Sequence, residues 1–280
     1  MLGNALDTSD FGQLRAVNST SGNDGGGTAH DPFTVVNDGG AAPALIICDH
    51  ASRHIPLEYG DLGLSEDQLS RHIAWDIGAG EVARGLASIL DAPAVLCGTS
   101  RLVVDCNRPF GVDSSIPKTS DGVTVPGNVN IDLAERQNRM ERFFHPYHDE
   151  IDRRIRILQQ HHRALALISV HSFTPEMDDF KRPWHVGVLW DQDQSLAAPV
   201  IRELRRNQDL VVGENKPYDG TNPPGYALHI HAADNGLPIA VFEIRQDQIE
   251  TAEGAERWAH ILAKALTPVL AAHGAGDGGK

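Results

Sequence analysis

Ala44-Leu45-Ile46-Ile47-Cys48 and Leu165-Ala166-Leu167-Ile168-Ser169-Val170 decide the fold. Both runs are apolar at consecutive positions, where a strand with one wet face would alternate apolar with polar. A strand apolar on both faces is buried on both, and such strands belong to sheets sandwiched between helices. Residues 94–97, 102–104, 186–189 and 238–244 read as further strands of this kind. Helical periodicity lies between them. Val82, Leu86, Ile89 and Leu90 share one face of residues 77–90. Residues 133–161 form a long helical pattern that Pro146 interrupts or kinks. Residues 197–207 accept Pro199 in a first helical turn. Trp258, Ile261, Leu262, Leu266 and Val269 mark the inner face of a final helix. The alternation predicts an α/β fold, a mostly parallel mixed central sheet with helices on both faces.

Residues 1–30 are polar and glycine-rich, and residues 274–280 are similar, so both read as flexible tails. No linker composition divides residues 31–273, which are expected to form a single domain with one large core. The formal net charge of −14 opposes binding to nucleic acid or to an anionic membrane surface. A small anionic substrate would require arginines placed locally. No stretch approaches the ~20 apolar residues of a membrane span. The N-terminus has no basic region followed by an apolar run, and Cys48, Cys97 and Cys106 lie in or beside apolar runs at no metal-finger spacing. A cytoplasmic protein with buried free thiols is the expectation. Oligomeric state is not legible.

Polar residues of catalytic types collect where the predicted strands end, the edge at which open α/β sheets bind ligands. The first strand runs into Asp49-His50-Ala51-Ser52-Arg53, and the strand at 102–104 into Asp105-Cys106-Asn107-Arg108-Pro109. The strand at 165–170 leads to His171-Ser172, and that at 238–242 to Glu243-Ile244-Arg245. Two imidazoles and a carboxylate suit a divalent metal, and a further carboxylate suits proton transfer from a water that the metal activates. His161, His162, His229, His231 and His260 read as ordinary surface or hydrogen-bonded histidines. His145 and His148, at i, i+3 on the long helix, lack a matching carboxylate pattern and also read as structural.

Several strings resemble the N-formylglutamate amidohydrolase family over about residues 44–247. They are Ile46-Ile47-Cys48-Asp49-His50-Ala51-Ser52 with Ile55-Pro56, Ala74-Trp75-Asp76-Ile77-Gly78-Ala79, Ser100 through Pro109, and Ser169-Val170-His171-Ser172-Phe173. That family is distantly similar to zinc carboxypeptidases, which implies their three-layer sandwich. Val104-Asp105-Cys106-Asn107-Arg108 resembles the carboxypeptidase segment whose Asn-Arg pair grips a substrate carboxylate. Val170-His171-Ser172 resembles a zinc-ligand segment, and Phe242-Glu243-Ile244-Arg245 the segment of the general-base glutamate. One departure is clear. Carboxypeptidases place a glutamate ligand three residues after the first histidine, where this chain has Arg53.

The resemblance thus implies a hydrolase acting on non-peptide C–N bonds, with N-formyl-L-glutamate or a related small anionic N-acyl amino acid as substrate and a link to histidine degradation. His50, Asp76 and His171 would hold one divalent metal, Zn2+ by preference. Asp76 could instead cap the following helix, with Asp49 in reserve as ligand. Glu243 would be the general base. Arg101 would assist at the oxyanion or else form a surface salt bridge. Asn107 and Arg108 would bind the substrate carboxylate, with Arg53 and Arg245 as further candidates. Tyr226 would touch substrate from the Asn222–Tyr226 loop, which could equally be a plain turn. The alternatives are a hydrolase of another N-acyl amino acid or of a peptide, and a non-catalytic binding protein of the same fold.

Overall fold

The computed structural model describes residues 31–220 and 225–275; the predicted N-terminal tail and residues 221–224 and 276–280 lie outside the described residues. Seven strands form one sheet: β1 (Phe33–Val36), β2 (Ala44–Cys48), β3 (Ala94–Cys97), β4 (Ala166–Phe173), β5 (Val186–Leu189), β6 (Val212–Glu214) and β7 (Ile239–Arg245). Their order is β1-β3-β2-β4-β7-β5-β6. The pairs β3/β2, β2/β4, β4/β7 and β5/β6 are parallel, whereas β1/β3 and β7/β5 are antiparallel. The expected mixed, mostly parallel sheet is therefore present.

Side chains of successive strand residues enter different layers, as the pleat requires. Ala44, Ile46, Ile168, Val170, Phe242 and Ile244 face α1 (Ala79–Leu90), α4 (Ala197–Leu204) and α5 (Ala252–Ala275). Leu45, Ile47, Leu167, Ile239 and Val241 face the opposite layer, built on α3 (His145–His161), the turn Met140–Phe144 that follows α2 (Leu133–Arg139), and the buried segment 102–106. Both faces are covered, which is why the central strands carry no polar alternation until their last residues. No helix of the described residues is long and apolar enough to cross a membrane.

Four expectations need correction. Residues 102–104 are buried but form a turn, not a strand. Val103 N–H donates to Ser100 O, Asn128 Nδ2 donates to Leu102 O at 2.8 Å, and Arg139 Nη1 donates to Val103 O at 3.2 Å. Side chains thus satisfy carbonyls that a neighbouring strand would otherwise satisfy. His171 and Glu243 do not follow their strands; β4 and β7 pair with each other as far as Phe173 and Arg245 and include them. Residues 133–161 are helical throughout, as expected, but Pro146 does not interrupt them. A π-helical turn over Met140–Phe144 joins α2 to α3, and Pro146 sits in the first turn of α3. The wider turn accommodates the missing proline N–H. Finally, α5 continues through Gly274 to Ala275, into the stretch read as a tail.

Candidate metal centre and active site

His50 lies two residues beyond β2, Asp76 lies in the loop before α1, and His171 lies in β4. The Asp76 backbone N–H donates to His50 O at 3.0 Å, which draws that loop across the end of β2. One potential ligand atom from each of His50, Asp76 and His171 lies within 4.8 Å of the other two, and all three residues are buried. Asp76 Oδ2 is 3.3 Å from His50 Nδ1 and 2.8 Å from His171 Nδ1, and it accepts the Ser172 N–H at 3.3 Å. Its other oxygen accepts Arg101 Nη1 at 3.1 Å. The carboxylate therefore does not cap α1. Gly78 occupies that position in a left-handed conformation.

The outward nitrogens of both histidines meet carboxylates. His50 Nε2 is 2.7 Å from Asp105 Oδ1, and His171 Nε2 is 3.0 Å from Asp49 Oδ2. Asp49 in turn accepts the Tyr147 hydroxyl at 2.8 Å. Asp105 accepts Arg101 Nη2 at 3.2 Å and the Asn107 N–H at 2.9 Å. An imidazole whose Nε2–H donates to a carboxylate is fixed in one tautomer and presents a more basic Nδ1. Both Nδ1 atoms point toward Asp76. Two such nitrogens and a carboxylate oxygen are a donor set that fits a divalent cation, zinc in particular.

The carboxylates around the cluster concentrate negative charge, which favours a cation there: a proton shared by His171 without a metal, or a divalent ion in its place. Burial raises the Asp76 pKa, but the His50 and His171 contacts outweigh it and hold the carboxyl well below its ordinary range. Asp105 is held far down in the same way by His50 and Arg101 against burial. Burial disfavours the charged form of His171, yet Asp49 and Asp76 pull its pKa well above the ordinary value. Glu243 behaves oppositely. Burial pushes its pKa up to about 8, with His171 opposing the rise, and its Oε2 has no hydrogen-bond partner. Glu243 is the register partner of His171 on the adjacent strand, so the two side chains leave the same face of the sheet.

Arg101 bridges Asp76 and Asp105 inside the site and is no surface salt bridge. Asn107 accepts the Ala227 N–H at 3.2 Å, and Arg108 Nη1 donates to the Asn107 carbonyl at 2.9 Å. The positive charge of Arg108 is among the influences that lower Asp105. The Tyr226 ring is half-buried against Phe144 and His148, 5.5 and 5.4 Å between centroids; residues 222–224 of the Asn222–Tyr226 loop lie outside the described residues. Arg53 points away from the cluster to Glu66, 2.5 Å from its carboxylate at the surface. Arg245 pairs with Asp247. His148 is buried between the Cys106 carbonyl and His231, which itself meets Asp152. The three cysteines are free and buried.

Sequence reasoning gave no role to Asp105, Tyr147, Arg182, Tyr218 or His72. Asp105 sat in a quoted motif and was the recoverable one. His72 lies 3.7 Å from Asp76 Oδ1, and burial lowers its pKa to about 4. Tyr147 lies in the helical pattern of residues 133–161, and no motif marks it, Arg182 or Tyr218.

The family model for N-formylglutamate amidohydrolase matches residues 42–250. The chain is 36% identical to a gene product of Agrobacterium tumefaciens of known structure, with a TM-score of 0.83 over 86% of this chain and 96% of that one. It shares its fold with the N-formylglutamate amidohydrolase of Ralstonia eutropha JMP134. The TM-score is 0.66 at 19% identity, over 88% of this chain and 99% of that one. No curated protein matches the sequence. Three-quarters of the chain lies within the family match, and the buried His50–Asp76–His171 cluster falls inside it: the chain belongs to the N-formylglutamate amidohydrolase family.

Proposed function

We propose that the protein is a zinc-dependent amidohydrolase that cleaves N-formyl-L-glutamate to formate and glutamate. The observation that carries this reading is the convergence of His50, Asp76 and His171 beside Glu243, in a chain of this family. Zinc held by those three residues would polarise the formyl carbonyl and acidify the attacking water.

With the metal in place, Asp105 and Asp49 would accept the Nε2–H of the two imidazoles and so leave each Nδ1 to the metal. Glu243, whose burial gives it a high proton affinity, takes the proton from the attacking water. As the C–N bond breaks, the same carboxyl passes that proton to the departing amine of glutamate. Arg101 keeps Asp76 and Asp105 in place and adds positive charge beside the developing oxyanion. Arg108, supported by Asn107, pairs with a substrate carboxylate, and Tyr226 flanks it. The substrate is small and anionic, and the reaction is placed in the cytoplasm.

The test is to incubate the protein with one equivalent of Zn2+ and N-formyl-L-glutamate and to quantify formate. Equimolar formate and glutamate are expected. Absence of formate with zinc, cobalt and manganese in turn would overturn the assignment.

A further inference from the structure

We infer that Arg182 is a second carboxylate-binding residue, which takes the side-chain carboxylate of the acyl amino acid and sets the preference for an acidic one. The inference rests on the proposed reaction and names the substrate feature that it selects.

Three arginines are less than a tenth exposed among the described residues: Arg139, Arg154 and Arg182. Arg139 Nε is 2.8 Å from Glu135, and Arg154 Nε is 2.7 Å from Glu150. Among the described residues, Arg182 has no carboxylate within ion-pair distance. Its guanidinium meets only uncharged acceptors, Thr174 O at 3.3 Å, Thr174 Oγ1 and Tyr218 OH at 3.4 Å, and Met177 Sδ at 2.5 Å. A buried guanidinium without a counter-charge is costly, and an anionic ligand removes the cost.

Its location fits that ligand. Arg182 Cζ lies 5.6 Å from the centre of the Phe173 ring and 5.3 Å from that of Tyr218. Phe173 is two residues past His171 on β4, so both side chains leave the same face. The Arg182 carbonyl accepts Arg245 Nη1 at 3.1 Å, and Arg245 is the register partner of Phe173 as Glu243 is of His171. Phe173 and Arg245, which Arg182 touches, lie one side-chain step beyond the His171–Glu243 pair, about 6.6 Å along the strands. The side-chain carboxyl carbon of N-formylglutamate is five bonds from the formyl carbon, about 6 Å when extended. The α-carboxyl carbon is only three bonds away and is left to Asn107 and Arg108. The Phe173 and Tyr218 rings, both within cation–π reach, limit the hydration of the Arg182 guanidinium.

The experiment compares wild type with Arg182→Gln and Arg182→Lys on N-formyl-L-glutamate and N-formyl-L-glutamine, which differ only at the side-chain carboxylate. Arg182→Gln is expected to lower the glutamate-to-glutamine ratio of kcat/KM by about 30-fold, mainly through KM, with partial rescue by lysine. Equal losses on both substrates would overturn the inference and leave the reaction standing. Calorimetric titration with L-glutamate and L-glutamine reads the same residue without turnover. Wild type is expected to bind glutamate more tightly and Arg182→Gln to lose that difference. Wild type that turns over neither substrate would sink the proposed reaction, while equal affinity of wild type for the two amino acids would sink the role of Arg182.

Discussion

His171 and Glu243 face each other across adjacent parallel strands, in register and on one face of the sheet. The pairing ties a candidate metal ligand and the candidate base to the same rigid ladder, so their spacing is set by backbone hydrogen bonds and not by a loop. It predicts that Glu243→Gln lowers kcat by about 10²-fold or more while zinc content stays at one per chain. Steady-state kinetics with metal analysis decide this. A loss below tenfold would remove Glu243 as the base.

The carboxylates behind the histidines carry a separate prediction. Asp49→Asn and Asp105→Asn leave His171 and His50 in place but weaken the bonds that orient them. Zinc affinity, measured by competition with a chelator, is expected to fall about 10- to 100-fold for each. Unchanged affinity in both would place the metal elsewhere.

Gly78 predicts a stability effect close to the site. Its φ is +77°, and a Cβ there would meet Ile249 O at 2.0 Å. Gly78→Ala is expected to cost about 2–3 kcal/mol from left-handed strain and the backbone clash. Thermal unfolding reads this as a Tm lower by roughly 5–10 °C. A Tm within 1–2 °C of wild type, as approximate bounds, would contradict it.

His148 predicts a pH dependence of stability. Burial, then the neighbouring His231, pushes its pKa down to about 3, with Asp49 and Asp152 opposing. Unfolded, it titrates near its ordinary value of about 6.5. Between these values the unfolded chain binds a proton that the folded chain refuses. The stabilisation is therefore present above about pH 6.5 and is lost as pH falls toward 3, by up to ~1.4 kcal/mol per unit. Denaturant unfolding between about pH 4 and 6.5 should show a shallower slope for His148→Gln than for wild type. An identical slope would exclude His148 as its source.

The sheet was legible wherever strands are buried on both faces, as in 44–48, 94–97 and 186–189. The edge strands β1 and β6 were not. Thr34 and Glu214 are exposed, and Gly213 interrupts the apolar run, so neither segment carries the signature of a buried strand. Residues 102–104 carried that signature and misled, because burial alone does not distinguish a strand from a turn with side-chain-capped carbonyls. His50, Asp76 and His171 could be grouped because their motifs follow one another in family order. Arg182 could not, since the absence of a carboxylate partner becomes visible only when every neighbour is in place.

The central claim is that activity depends on one metal held by His50, Asp76 and His171. The most direct measurement is formate release from N-formyl-L-glutamate as Zn2+ is titrated into chelator-treated protein. The account predicts a linear rise that saturates at one equivalent per chain, and loss of that saturation in Asp76→Asn. Full activity in the chelator-treated protein, or an Asp76→Asn variant that titrates like wild type, would contradict it.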